Sequence, residues 1–226
     1  MLDLSKSYEF FQPEKDAAKV HIIGCGSVGS TIAENLARCG VKNMVLYDFD
    51  TVEPHNIVNQ MFTQQDVGKL KVEALKDILV NINPELTDTI ELHPEGWSKK
   101  SKRMSGYVFL AVDSVELRRE IVEKYMDNLN IKAMFDVRTL LESAQHYAAD
   151  WTDYKMKQDF LNSMQFSHDE AAEETPVSAC GVTLGVATTV RIISALAVNN
   201  YINFVKGNGI KKLVIADGFK FDLIAF

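Results

Sequence analysis

The stretch VHIIGCGSVGSTIAENLARCGVKNMVLYDFD, residues 20–50, decides the fold. It opens on an apolar run (Val20, Ile22, Ile23) and breaks at Gly24-Cys25-Gly26-Ser27-Val28-Gly29. It then reads as a helix to about Cys39, turns at Gly40, and enters a second apolar run ending in Asp48-Phe49-Asp50. Strand, glycine turn, helix and a strand ending in acid form the nucleotide-binding half of a doubly wound sheet. Gly24 permits the tight turn, Gly26 lets backbone approach a phosphate, and Gly29 lets helix and strand pack closely. The helix N-terminus offers N–H groups and a positive dipole end to an anion. Asp48 is placed to accept hydrogen bonds from a ribose. Alone, this pattern fits NAD, FAD and ATP sites equally.

Outward from this core, residues 1–18 read as an N-terminal arm with an aromatic patch (Tyr8, Phe10, Phe11), packing on the domain or on a second subunit. Residues 51–60 read as a polar loop at the carboxyl end of the second strand, where open α/β sheets bind ligands. Apolar residues at helical spacing predict a helix over 64–82, stopped by Asn83-Pro84. Strands are predicted at 90–93, 107–112, 131–137 and 143–149, with a helix over 115–128 capped by Asp113-Ser114. Residues 151–177, acidic and weakly periodic, read as a crossover or lid. Residues 182–205 read as a helix apolar almost all round, buried on the sheet or at a dimer interface. Residues 212–216 and 219–225 flank Asp217-Gly218, a two-residue hairpin signal. The fold class is therefore α/β, a Rossmann-like doubly wound, mostly parallel sheet with an antiparallel C-terminal strand pair. Residues 19–226 form one domain.

Composition limits the function classes. The net charge is −7, from 24 basic and 31 acidic residues, which opposes non-specific nucleic-acid binding. The three cysteines, Cys25, Cys39 and Cys180, contain no CxxC pair, so a four-cysteine zinc site is excluded. The histidines show no metal-ligand spacing. No apolar run approaches the ~18 residues of a membrane span. The polar residues 1–18 are unlike a secretory leader, and sparse cysteine suits a reducing, cytoplasmic compartment.

The polar features converge on the carboxyl ends of successive strands: the glycine loop, Asp48 and Asp50, the loop with Asn56 and Gln60, and Asp113. Lys71 comes from the helix that follows the second loop. A dehydrogenase would need a hydride-acceptor site and often a second lobe, and neither is apparent. ATP fits the set. The glycine loop covers phosphates, Asp48 takes ribose hydroxyls, Lys71 neutralises a phosphate, and Asp113 offers hard oxygens to Mg²⁺.

The string DFDTVEPHNIVNQMFTQQDVGKLKVEALKDILVNINPE, residues 48–85, resembles the ThiF/MoeB/HesA family of ubiquitin-activating-enzyme-like adenylyltransferases. Those proteins follow the glycine loop with DxDxVxxxNxxRQ, then VGxxK, then a helix ending near NP. Here Asp48, Asp50, Val52, Asn56, Gln60, Val67-Gly68, Lys71 and Asn83-Pro84 match, and Val112-Asp113-Ser114 with Arg118 matches a later segment. The match covers about residues 19–120. Asp136-Val137-Arg138 and the acidic 171–174 resemble shorter family members more loosely.

The resemblance implies attack of a protein C-terminal carboxylate on ATP·Mg²⁺, giving an acyl-adenylate and pyrophosphate. It implies nucleotide contacts from Gly24, Gly26, Ser27, Gly29, Asp48, Asp50, Asn56, Asn59, Gln60 and Lys71, with Asp113 as the Mg²⁺ ligand. The substrate is a small ubiquitin-like or sulfur-carrier protein supplied in trans, and the enzyme is a homodimer. Two departures stand out. The family arginine before Gln is Asn59 here, so Arg138 or an arginine of a second subunit is the expected substitute, or adenylation is weakened. The zinc-binding CxxC pairs are absent. Cys180, in SACGVTLG, lies where some members carry a thioester- or persulfide-forming cysteine; the alternative is a small buried residue at a helix start. A non-catalytic nucleotide-binding scaffold, an NAD(P)-dependent oxidoreductase and an activator of a small molecule or RNA base stay open as alternatives.

Overall fold

A computed structural model of the protein describes residues 2–165 and 184–226. Cys180, the acidic run and residues 166–177 of the crossover lie outside these residues. The sheet carries β1 (Val20–Ile23), β2 (Met44–Tyr47), β3 (Glu91–His93), β4 (Gly106–Leu110), β5 (Ile131–Thr139), β6 (Ser143–Asp150), β7 (Leu213–Asp217) and β8 (Asp222–Ala225). Its order is β3-β2-β1-β4-β5-β6-β7-β8. The first five run parallel, and β6, β7 and β8 extend the sheet antiparallel from β5. Strand order reverses between β1 and β4, which leaves a crevice outside their carboxyl ends.

The helices are α1 (Ser27–Arg38), α2 (Lys71–Ile82), α3 (Val115–Tyr125), α4 (Tyr154–Asn162) and α5 (Ala187–Val205). Alternating strand residues feed two cores. Ile22, Phe109 and Phe135 pack with Ile32 and Leu36 of α1 and Tyr201 of α5. Ile23, Val108, Leu110 and Met134 pack with Ile121, Trp151 and Phe160 on the other face. Helix α1 ends because Gly40 takes φ +83 and Val41 N–H returns to the Leu36 carbonyl (3.0 Å), a Schellman closure. The N-terminal arm packs on the domain: Phe11 joins the core, and Asp16 accepts from Lys132 (2.8 Å) and the Tyr107 hydroxyl (2.5 Å).

Three expectations are corrected. The predicted helix over 64–82 splits into a 3₁₀ turn (Gln64–Asp66), a left-handed Gly68 (φ +90) and α2. Asp66 caps that turn by accepting from Thr63 N–H (2.9 Å), and residues 69–71 instead pair with 50–52. Helix α5 is one-sided, with Val190, Ile193 and Ala197 buried on the sheet and α1 while Arg191 and Ile192 face out. The last hairpin has a four-residue loop, because Asp217 pairs with Asp222 and its carboxylate gathers the Phe219 and Lys220 N–H groups.

Two core histidines are expected to contribute to the acid response. Burial pushes His21 and His146 down to about 4 from 6.5. Between those values the unfolded chain binds more protons than the folded one, so stability falls as pH drops through the window. Each histidine is expected to remove about 2 kcal/mol between pH 7 and pH 5. Urea midpoints at the two pH values check this; equal midpoints would exclude it.

Candidate nucleotide-binding site

The glycine loop joins β1 to α1 and packs directly on the exit of β4. Gly24 has φ +92, and a Cβ there would stand 2.6 Å from the Ala111 carbonyl oxygen. A Cβ on Gly29 would lie 1.8 Å from the Gly24 carbonyl oxygen. A Cβ on Gly26 would meet only Gln60 Nε2, at 4.0 Å, so the loop is open where the sequence places a phosphate. Among the described residues no side chain caps α1. Its first-turn N–H groups are therefore left for an anion.

Asp48 leaves β2 beside this loop. Its carboxylate accepts from Cys25 N–H (2.7 Å) and Asp50 N–H (2.9 Å), and burial pushes its pKa up. Asp50 pairs with Lys71 at 2.8 Å, an ion pair set up by the backbone bond from Lys71 N–H to the Asp50 carbonyl (2.9 Å). Lys71 is thus brought to the site already partnered by a carboxylate. Asn56 closes its own loop: its Oδ1 accepts from Glu53 N–H (2.9 Å) in a capping box. Asn59 donates from Nδ2 to the Gly185 carbonyl at 3.4 Å, which ties this loop to the approach of α5. Gln60 lies over Gly26, and its buried Oε1 has no hydrogen-bond partner among the described residues.

Asp113 stands exposed after β4, without a side-chain partner among the described residues. Ser114 is the cap of α3, accepting from Leu117 N–H at 3.1 Å, which leaves Asp113 free of that duty. The loop is held from beneath by Arg118. Its guanidinium donates to the Val112 carbonyl (2.7 Å from Nε), to the Val137 carbonyl (3.0 Å) and to Asp136. Asp136, fully buried, also pairs with Arg138 at 2.7 Å. Arg138 reaches the Ser163 carbonyl (2.8 Å) and lies over the Tyr147 ring. Arg138 is therefore engaged in a buried network under the Asp113 loop. That hub escaped the sequence reading; the signal was two charges, Asp136 and Arg138, inside an apolar strand.

Cys25 is buried in the glycine turn, and burial raises its thiol pKa, in keeping with packing. Among the described residues no group of three or more His, Cys, Asp or Glu side chains is arranged to hold a metal. Mg²⁺ at a nucleotide takes most of its ligands from phosphates and water and only one or two from carboxylates. The uncommitted Asp113 fits that requirement.

The description "ThiF family" matches residues 8–225 of this chain. The chain belongs to the ThiF family. Within it, the chain is 40% identical over 74 residues to ubiquitin-like modifier-activating enzyme 5 of Caenorhabditis elegans, covering 33% of this chain and 17% of that protein. The same enzyme of Drosophila persimilis is 38% identical over 92 residues, covering 41% and 22%. This ThiF chain thus matches only about a fifth of those relatives' length. Among solved structures, E. coli MccB with ATP superposes with TM-score 0.73 at 17% identity, covering 95% of this chain and 65% of that one. PaaA gives TM-score 0.69 at 19% identity with the same coverages. Both likenesses show the fold.

Proposed function

We propose that this ThiF-family chain is an ATP-dependent adenylyltransferase that activates the C-terminal carboxylate of a ubiquitin-like or sulfur-carrier protein. The observation that carries the reading is the meeting, at the β1/β4 switch point, of Asp48 with a helix start and an Asp113 that have no side-chain partner among the described residues. The names of the relatives support it: the curated ones are ubiquitin-like modifier-activating enzymes, and MccB has been solved with ATP and with MccA.

In this reading the α1 N-terminus and Gly26 hold the phosphates, and Asp48 accepts from the ribose hydroxyls. Asn56 and Asp50 shape the loop that carries Asn59 and Gln60, and the Gln60 Oε1 accepts from the nucleotide. Lys71 shares its charge between Asp50 and a phosphate. Asp113 holds Mg²⁺, which when bound neutralises phosphate charge so that two anions meet. The carrier carboxylate oxygen attacks the α-phosphorus, the bond to the bridging oxygen breaks, and pyrophosphate leaves with that electron pair. Catalysis is then alignment and charge neutralisation rather than proton transfer. The carrier arrives in trans, the enzyme works as a homodimer, and the compartment is cytoplasmic. No described helix is long and apolar enough to cross a membrane.

The test is calorimetric titration with ATP, with and without Mg²⁺, alongside NADH, followed by pyrophosphate exchange with candidate carriers. Mg²⁺-dependent ATP binding without NADH binding is expected. NADH binding without ATP binding would overturn the reading, and ATP binding without exchange for any carrier would turn it into a nucleotide-binding scaffold.

A further inference from the structure

The strip Asn59–Met61 lies against the glycine loop and carries no charge. Gln60 faces Gly26, and Met61 N–H donates to Ser30 Oγ (3.2 Å) in the first turns of α1. A bound triphosphate brings about four negative charges to this wall, whereas the cations beneath and beside it are already matched. Lys71 faces Asp50, and Arg118 and Arg138 face Asp136. Arg191 is different. It projects from the first turns of α5, exposed, and its guanidinium meets the Met61 sulfur. Among the described residues it has no carboxylate partner. A thioether is a weak acceptor, whereas a guanidinium matches phosphate oxygens in a two-pronged geometry. The base of α5 is fixed by Thr189 Oγ1 donating to the Leu141 carbonyl (2.7 Å) and by the Asn59–Gly185 bond.

We infer that Arg191 supplies, from the same chain, the positive charge that faces the outer phosphates of the nucleotide across the neutral strip Asn59–Met61. This rests on the nucleotide reading above. Arg191 exchanges the Met61 sulfur for phosphate oxygens when a triphosphate is bound, and it has no role toward a monophosphate.

The experiment compares ATP, AMP and pyrophosphate isotherms for the parent protein, Arg191→Ala, Arg191→Lys and the double variant Arg191→Ala/Asn59→Arg. Arg191→Ala is expected to weaken ATP and pyrophosphate binding roughly 10- to 100-fold while AMP binding stays within about twofold. Arg191→Lys keeps part of the affinity, and Asn59→Arg restores ATP binding by placing charge on the strip itself. Parent-like ATP binding by Arg191→Ala, or an equal loss for ATP and AMP, would overturn this assignment alone. Failure of the parent to bind ATP would overturn both it and the nucleotide reading.

Discussion

Asp113→Ala is expected to lower ATP–pyrophosphate exchange at least roughly 100-fold, the size of effect seen when one preorganised charge-stabilising group is removed, and to leave thermal unfolding unmoved. The two halves of this expectation have separate physical grounds. Asp113 is exposed and unpartnered among the described residues, and the cap of α3 belongs to Ser114, so no fold contact is lost. The loop itself keeps its shape because Arg118 holds the Val112 carbonyl from below. In the proposed reading, what disappears is the hard oxygen pair offered to Mg²⁺ next to the glycine loop. Asp113→Asn keeps the shape but not the charge, and is expected to be nearly as poor. Exchange at the parental rate in either variant would remove Asp113 from the metal role, and a cooperative unfolding shift would mean that it is structural.

Asp136→Ala is expected to cost about 3–5 kcal/mol of stability, because breaking a buried ion pair leaves its partner charge uncompensated. Here one carboxylate, fully buried, faces both Arg118 and Arg138. Both guanidinium groups lose this carboxylate, while Arg118 keeps its bonds to the Val112 and Val137 carbonyls and Arg138 its bonds to Ser163. Urea unfolding at pH 7 reads the loss, and a variant within about 1 kcal/mol of the parent would show that the arginines find other compensation. Because Arg118 also grips Val112, the same variant is expected to lose exchange activity beyond its loss of folded protein.

The parts of the site that follow from local backbone needs were legible in the sequence. Gly24, Gly26 and Gly29 answer to φ, to open space and to helix packing within six residues of one another, and Asp48 and Asp113 end apolar strands. What stayed hidden depends on pairing between distant segments. The ion pair of Lys71 with Asp50 arises from the bonding of residues 69–71 to 50–52, which overrode an otherwise sound helical period over 64–82. The Asp136 hub requires β4, β5 and α3 to be brought together. Arg191 meets Met61 only because α5 returns to pack on α1. The last hairpin was misread because the carboxylate of Asp217 organises a longer loop than Asp-Gly alone suggests.

The two glycines Gly29 and Gly185 differ in what could ever replace them. At Gly29 the obstacle to a methyl group is the main-chain carbonyl oxygen of Gly24, 1.8 Å away. At Gly185 it is the amide tip of Asn59, 2.6 Å away. A side-chain tip can be trimmed by a second mutation; a carbonyl cannot. In a suppressor screen, Gly185→Ala is thus expected to be repairable through Asn59, whereas trimming a neighbouring side chain does not relieve Gly29→Ala. The glycine turn is genetically isolated, because its closest packing partner is its own backbone.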